Sequence, residues 1–569
     1  MADMNLLFIF VTALAVSMLL IPLLMRWAER FRIVDQPGDR KIHAVPVPRV
    51  GGIAFAVGVW TTLLMWATKG EAVVAYLAAS GIIVGFGILD DRVGLGYRVK
   101  FLGQLLAAAV AVGYGGVSLH VLPFTENVWL PAWLAMPLTI VLLVGITNAV
   151  NLSDGLDGLA GGLCLLTFGG MAYLAYLSGG QAMILILTIA MLGGILGFLR
   201  FNTYPATVFM GDAGSQFLGF TAGFSALLLT NAGEGAYTPV LALLMIGLPL
   251  LDTLGVMIQR VMTGRSPFLP DRNHIHHKLL KAGFFHHEAV LIIYTLQAVM
   301  VGLAYVLQWQ SDLIVLVVYG LIALPVLSLF WWAGRWQWRR PDREHSLSVA
   351  TMHRVIRLKN RWATEMPVRL LGTGVFLFLS LGVFVPRQIP VDFGVVAISL
   401  FGLLLLGALV FRKATPWLVR LGLYVGGAFM IYLADLSNGA NVANGATGST
   451  GATGFVVAGV AAGVSVHTIL NLFFGLMAVL VVASIRLNRS QPFELTPLDY
   501  LMVLMVLTVP NLPEIQVGDF SLGALAAKII VLFFAYELIL SRLSERMTQY
   551  GLVSLWVFLA LGIRAWANV

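Results

Sequence analysis

The run Asn148-Ala-Val-Asn-Leu-Ser-Asp-Gly-Leu-Asp-Gly158 sets two carboxamides and two carboxylates close together, with glycines between them. Asn148 and Asn151 are three residues apart, as are Asp154 and Asp157, so each pair shares a face wherever the backbone is helical. Hard oxygen donors at that density suit Mg²⁺ and the recognition of hydroxyls or a base. Turn and capping preferences account for one such residue but hardly for four. Phe209-Met-Gly-Asp-Ala-Gly-Ser215 adds Asp212 among small residues that leave room for a metal and phosphates, ahead of a helix N-terminus favourable to anions. A plain N-cap is the competing reading, and the company of the other loops favours a metal ligand. Asp90 and Asp91 close an apolar helix, with Arg92, Arg98 and Lys100 just beyond. Adjacent carboxylates on a helix point about 100° apart, so one can position or deprotonate a ligand while the other meets a metal or a cation. Taken alone, the pair also reads as a helix cap.

Two basic segments complete the set. Asp35 to Gly52 is too rich in Pro and Gly to be helical, and offers Arg40, Lys41, His43 and Arg49 to an anion. A connector that merely fixes membrane orientation is its bland alternative. Pro270-Asp-Arg-Asn-His-Ile-His-His277 brings Arg272, His274, His276 and His277 together. The histidines invite a zinc reading, but no cysteine accompanies them and Arg272 would repel a cation. Phosphate binding is the preferred role.

The elements that must position these residues are membrane helices. The chain has 569 residues, 59% of them hydrophobic and 11% charged, with a mean hydropathy of +0.90. A soluble domain carries about 25% charged residues. Apolar runs of roughly 17–25 residues, long enough to cross a hydrocarbon core of about 30 Å, recur about 18 times. The fold class is therefore all-α, a polytopic transmembrane helical bundle. The first run, Leu6 to Met25, lacks a basic start and a small-residue cleavage site, and reads as a retained helix. The single cysteine, Cys164, lies in an apolar stretch, which leaves no disulfide framework and no cysteine metal site.

Helices read at 5–27, 50–68, 72–89, 100–117, 132–150, 158–177, 181–200, 213–230 and 237–258 divide the loops into two alternating sets. Through residue 288 there are 16 Lys and Arg, and all but Lys69 fall in or beside 26–49, 90–100, 151–157, 201–212 and 259–288. That set is expected to be cytoplasmic, and it holds nearly every carboxylate and histidine of the region. The net charge of +8 is explained by orientation and anionic lipid rather than by nucleic acid. Two more helices lead to a basic cytoplasmic linker at 334–367, so the division expected is a core at 1–333 with about 11 spans and a C-terminal membrane module at 368–569 with about seven.

In this order the segments Asp-x-Pro…Arg-Lys-x-His…Pro-x-Pro…Gly-Gly, Asp-Asp, Asn-x-x-Asn-x-x-Asp-Gly-x-Asp-Gly, Gly-Asp-x-Gly-Ser and His-Ile-His-His resemble the polyprenyl-phosphate N-acetylhexosamine-1-phosphate transferases. The resemblance covers residues 1 to about 333 and has no counterpart beyond about 368. It implies a UDP-N-acetylhexosamine, GlcNAc-like by its histidine segment, attacked by the phosphate of a polyprenyl phosphate with release of UMP, at the start of envelope polysaccharide synthesis. Mg²⁺ is the implied cofactor, with Mn²⁺ able to substitute. The implied location is the inner membrane with the site on its cytoplasmic face, and a homodimer is allowed. Carried over by motif, Asp90 deprotonates or orients the lipid phosphate beside Asp91. Asn151 and Asp212 hold the metal, Asp157 meets the uracil, and Asn148 and Asp154 shape its pocket. Arg272, His274, His276, His277 and Lys41 face the diphosphate or sugar.

A transporter would place such groups near the bilayer midplane on broken helices, whereas these crowd helix ends on one side. Asp252, several residues inside the ninth helix, is the exception, and an intramembrane carboxylate is expected to serve the site by pairing with a basic residue. A scaffold for polysaccharide assembly suits the C-terminal module better than the core, and Lys528 and Glu537 in an otherwise apolar C-terminal helix leave a second activity open.

Overall fold

The computed structural model describes residues 2–36, 46–121, 123–124, 129–178, 182–230, 237–266, 273–335, 361–386, 389–410, 415–444, 466–487, 516–517, 520–542 and 547–567. The described residues divide into two compact units, one within Met1–His345 and the other within Ser346–Leu495 and Met502–Val569. Residues 336–360 of the expected linker lie outside the described set.

In the first unit the order is α1 (Ala2–Ala28), β1 (Val34–Asp35), β2 (Val47–Pro48), α2 (Gly51–Trp66), α3 (Glu71–Val93), α4 (Tyr97–Gly113), α5 (Ala132–Leu152), α6 (Leu159–Leu177), α7 (Ala182–Asn202), α8 (Gly211–Thr230), α9 (Leu241–Met245), α10 (Gly247–Met262), α11 (Ile275–Lys281), α12 (His286–Val306) and α13 (Asp312–Arg335). The second unit holds α14 (Arg361–Gly382), α15 (Val391–Val410), α16 (Thr415–Asn444), α17 (Val466–Leu487), α18 (Leu522–Arg542) and α19 (Met547–Ala567), with two-residue strands at Gln516–Val517 and Phe520–Ser521. Among the described residues nine helices are long and apolar enough to cross a membrane. The chain is an all-α, multi-pass membrane protein.

Helix α8 is the axis of the first unit. It packs against α2, α3 and α5, and every residue from Ala213 to Leu229 is buried. Small residues on three sides allow this: Gly52 of α2 meets Gly214, Gly87 of α3 meets Ala213, and Gly219 meets Thr147 of α5, each so closely that a further Cβ would strike backbone. Lipid offers helices no hydrophobic reason to associate, so close van der Waals contact through small residues must hold them. In the second unit α15 packs on α19, α16 on α18 and α19, and α14 on α17 and α18.

The expected ninth helix, 237–258, is broken in two at Ile246. Pro249 has no N–H and crowds the carbonyl four residues back, that of Met245. Two side chains take over that carbonyl: Gln297 Nε2 donates to it at 2.7 Å and Thr167 Oγ1 at 2.9 Å. Tyr319 donates to the carbonyl of Gly247 at 3.3 Å. A backbone break inside a membrane bundle survives only with such partners.

Candidate active site

Loops separated in sequence reach one end of this bundle through specific bonds. The antiparallel pair β1–β2 closes the base of the first loop. Phe209 N then donates to Pro48 O at 2.8 Å, and Gly51 N and Gly52 N donate to Phe209 O and Met210 O at 3.0 Å each. The start of α2 thus finds acceptors for its free N–H groups in the segment that leads into α8. Asn202, at the end of α7, accepts from Gly158 N at 3.0 Å and donates to Val208 O at 2.9 Å, which ties the 153–158 turn to the same segment. Tyr294 of α12 donates to Gly158 O at 2.6 Å.

At the centre Asp91 caps α8 from another helix. Its Oδ1 accepts from Asp212 N at 2.9 Å and its Oδ2 from Ala213 N at 3.1 Å, a favourable use of a carboxylate at a helix N-terminus. Arg49 Nη1 lies 3.5 Å from Asp91 Oδ1 and also pairs with Asp35. Asp90, one residue earlier, turns away as the helix geometry requires. It is buried, accepts from Leu95 N at 2.7 Å and pairs with Lys100. The same ammonium lies 3.6 Å from Asp212 Oδ2, so Lys100 links the two carboxylates. Ser215 Oγ donates to Asn151 Oδ1 at 2.6 Å. Ala206 N donates to Asp157 Oδ2 at 2.9 Å.

These groups surround a cavity of about 470 Å³ whose walls include Asp35, Arg49, Asp91, Asn151, Asp154, Asp157, Asn202, Phe209, Asp212, Ser215 and His277. That is within the usual size of a small-molecule site. Five carboxylates face one arginine and His277 among the described wall residues. The crowding of negative charge shows at Asp154: desolvation between the walls, and then the charges of Asp212, Asp157 and Asp91, push its pKa up to about 7. Such a cavity favours cations.

The sequence-predicted residues separate into three groups. Asp91, Asn151, Asp154, Asp157, Asp212 and His277 share the cavity. Asp90, Asn148, His274 and His276 lie behind its wall. Asn148 belongs to a polar cluster in the bundle, donating to Gln104 Oε1 of α4 at 2.6 Å, while Gln104 donates to Gln216 Oε1 of α8 at 3.0 Å. His276 is buried against Gly155, and that burial, reinforced by His277, lowers its pKa to about 3. Lys41 and Arg272 lie outside the described residues. Gln104, Gln216 and Asn202 were not singled out for these roles from the sequence. The readable signal is Gln104 one turn beyond Lys100 in an apolar helix, which puts both on one face.

Among the described residues no three His, Cys, Asp or Glu side chains stand close enough to hold a metal ion unaided. Mg²⁺ does not require that. It keeps several waters and takes one or two carboxylates together with substrate phosphates, and the side-chain oxygens of Asp212 and Asn151 on an acid-rich wall fit that preference.

A family profile described as Glycosyl transferase family 4 matches residues 73–230. A Bacillus subtilis (strain 168) protein described as a probable undecaprenyl-phosphate N-acetylglucosaminyl 1-phosphate transferase is 38% identical over 287 residues, 50% of this chain and 80% of that relative. The chain belongs to glycosyl transferase family 4. The undecaprenyl-phosphate alpha-N-acetylglucosaminyl 1-phosphate transferase of Yersinia pestis is 35% identical over 48% of this chain and 77% of its own length. The decaprenyl-phosphate N-acetylglucosaminephosphotransferase of Mycolicibacterium smegmatis is 36% identical over 47% and 73%. The profile spans α3 to α8, and so includes the Asp-Asp pair, the Asn/Asp run and the Gly-Asp segment that build the cavity. As a member of family 4 the chain is a membrane transferase.

Proposed function

We propose that the chain transfers a GlcNAc-like N-acetylhexosamine-1-phosphate from a UDP-sugar to a polyprenyl phosphate, as the first committed step of an envelope polysaccharide. The observation that carries this is the acid-rich cavity built beside α8 from the 35–49, 151–157 and 202–212 segments together with Asp91 and His277. The reading is supported by the names of the relatives and by the chemistry that two phosphate-bearing substrates demand. An oxygen of the lipid phosphate attacks the sugar-bearing phosphorus of the donor. The bond from that phosphorus to the oxygen bridging it to UMP breaks, and UMP leaves with the bond's electrons.

Both reactants are anionic, so the site must offset their repulsion. Asp212 and Asn151 would hold the Mg²⁺, or Mn²⁺ in its place, which would supply positive charge to offset that repulsion. Asp91 faces the acceptor from the cavity wall. Asp90 acts from behind it by fixing Lys100 next to Asp212. Asp157, held by Ala206 N, meets the uracil, with Asp154 beside it. His277 faces the diphosphate, with His274 and His276 supporting it, and Lys41 and Arg272 are assigned there by motif. The site lies on the cytoplasmic face of the plasma membrane, supported by 15 of the first 16 Lys and Arg falling on that side.

The test is Asp212→Asn in the full chain, with transfer measured from a labelled UDP-sugar in membranes and folding followed by thermal unfolding. Loss of transfer of at least 100-fold, with the unfolding temperature held within a few degrees, is expected. Full activity of the variant, or undiminished transfer by the unmodified chain in EDTA, contradicts the metal assignment.

A further inference from the structure

Helix α10 carries one buried carboxylate, Asp252, that does not line the cavity. Both its oxygens are engaged with the histidine segment. Oδ1 accepts from Ile275 N at 2.8 Å, the first N–H of α11, and Oδ2 stands 2.9 Å from His274 Nδ1. His274 is itself buried. Its ring lies parallel to that of His276, with centroids 5.8 Å apart, and the His276 ring is 4.2 Å from that of His277. Of these three rings only that of His277 is on the cavity wall. A line of contacts therefore runs from a buried carboxylate of α10 to a side chain on the cavity wall.

Among the described residues there is no room for a ligand at Asp252. The space it shares with Ser153, Ile275 and His276 has a volume of about 10 Å³, no more than one water occupies. Asp252 thus acts through other residues. A carboxylate facing His274 Nδ1 keeps the proton on that nitrogen and fixes the ring's orientation, as partners behind ligating histidines do. Its second oxygen replaces the missing local cap at the start of α11, whose N-cap residue, His274, makes no side-chain cap.

We propose that Asp252 and His274 form a positioning clamp that fixes α11 so that His277 stands on the cavity wall. This rests on the transferase reading for its effect on activity but not for its effect on geometry. The clamp predicts a difference between two isosteres. Asparagine in place of His274 keeps an N–H donor near the Nδ1 position, whereas glutamine places its donor farther out, near Nε2. His274→Asn therefore retains transfer within about fivefold, and His274→Gln and Asp252→Asn each lose about 10–100-fold. The loss lies in kcat, with KM for the UDP-sugar changed less than about threefold, because the misplaced side chain meets the developing charge.

The experiment has two arms on the full chain. The first measures kcat and KM for the unmodified protein, Asp252→Asn, His274→Asn and His274→Gln. The second carries Cys164→Ala and His277→Cys, and follows alkylation of the single thiol by a water-soluble maleimide with and without Asp252→Asn. Expected are the isostere split in the first arm and at least a tenfold change in labelling rate in the second, with unfolding temperatures within a few degrees. Equal losses from His274→Asn and His274→Gln overturn the clamp, as does a labelling rate unmoved by Asp252→Asn. If the unmodified protein transfers nothing, the functional reading fails while the labelling arm still decides the clamp.

Discussion

Gly211 sits where the structure leaves no room for a side chain. Its φ is +71°, so an L-residue there incurs roughly 1–2 kcal/mol of left-handed strain. A Cβ at this position would lie 2.8 Å from Asp91 Cγ and 2.9 Å from Oδ1, and closer still to Oδ2. The carboxylate must retreat by roughly 0.5–1 Å to reach ordinary contact, which breaks or lengthens its bonds to Asp212 N and Ala213 N. A hydrogen bond to a charged group contributes about 1.5–3 kcal/mol. Gly211→Ala should therefore destabilise the protein by roughly 3–5 kcal/mol and, by moving Asp91 and the start of α8, reduce transfer by about 100-fold or more. Gly94 is the internal control. It has φ +67° but nothing within 4 Å of an added Cβ, so Gly94→Ala incurs the strain alone, about 1–2 kcal/mol, with transfer within about threefold. Both variants are compared by unfolding in detergent and by transfer at matched protein levels. Equal activity of the two refutes the reasoning that Asp91 must be held against α8.

Asp154, with its pKa raised to about 7, costs stability when ionised: the cost is complete above pH 7 and disappears as pH falls towards the unfolded value of about 3.9. Asp154→Asn in EDTA should raise the unfolding temperature at pH 8 but not near pH 4, and an equal gain at both would contradict the charge crowding. His276 has the opposite sense. With its pKa lowered to about 3, it favours the fold above pH 6.5 and withdraws roughly 1.4 kcal/mol per pH unit as pH falls from 6.5 towards 3. His276→Gln should flatten the acid side of the stability profile, and an unchanged slope would show that this ring carries none of it.

The core of the site was legible because chemistry and membrane topology are written in the same places. Asp91, Asn151, Asp154, Asp157 and Asp212 are hard donors at the ends of apolar runs, and alternation of basic loops assigns those ends to one side. The finer roles of adjacent residues were not legible. Asp90 and Asp91 differ by one position, and only the packing of α3 on α8 decides that Asp91 reaches the cavity while Asp90 meets Lys100. Asn148 and Asn151 do share a helix, yet Asn148 is taken up by Gln104, a partner 44 residues away. Asp154 and Asp157 meet in the cavity through a turn, not through the helical spacing that the sequence allows. Asp252 was expected to pair with a basic residue, and the residue it meets is His274. The break at Ile246 could have been read from Pro249, but its tolerance depends on Gln297 and Thr167, which sequence does not connect to it.

The product of the reaction is the most direct test of the proposed transfer. Membranes containing the full chain, given polyprenyl phosphate, Mg²⁺ and a panel of UDP-sugars labelled in both sugar and β-phosphate, should yield a lipid that retains both labels, with release of UMP and preference for a GlcNAc-like donor. A lipid product bearing the sugar label without the phosphate label, or no lipid-linked product from any donor with folded protein present, would contradict it.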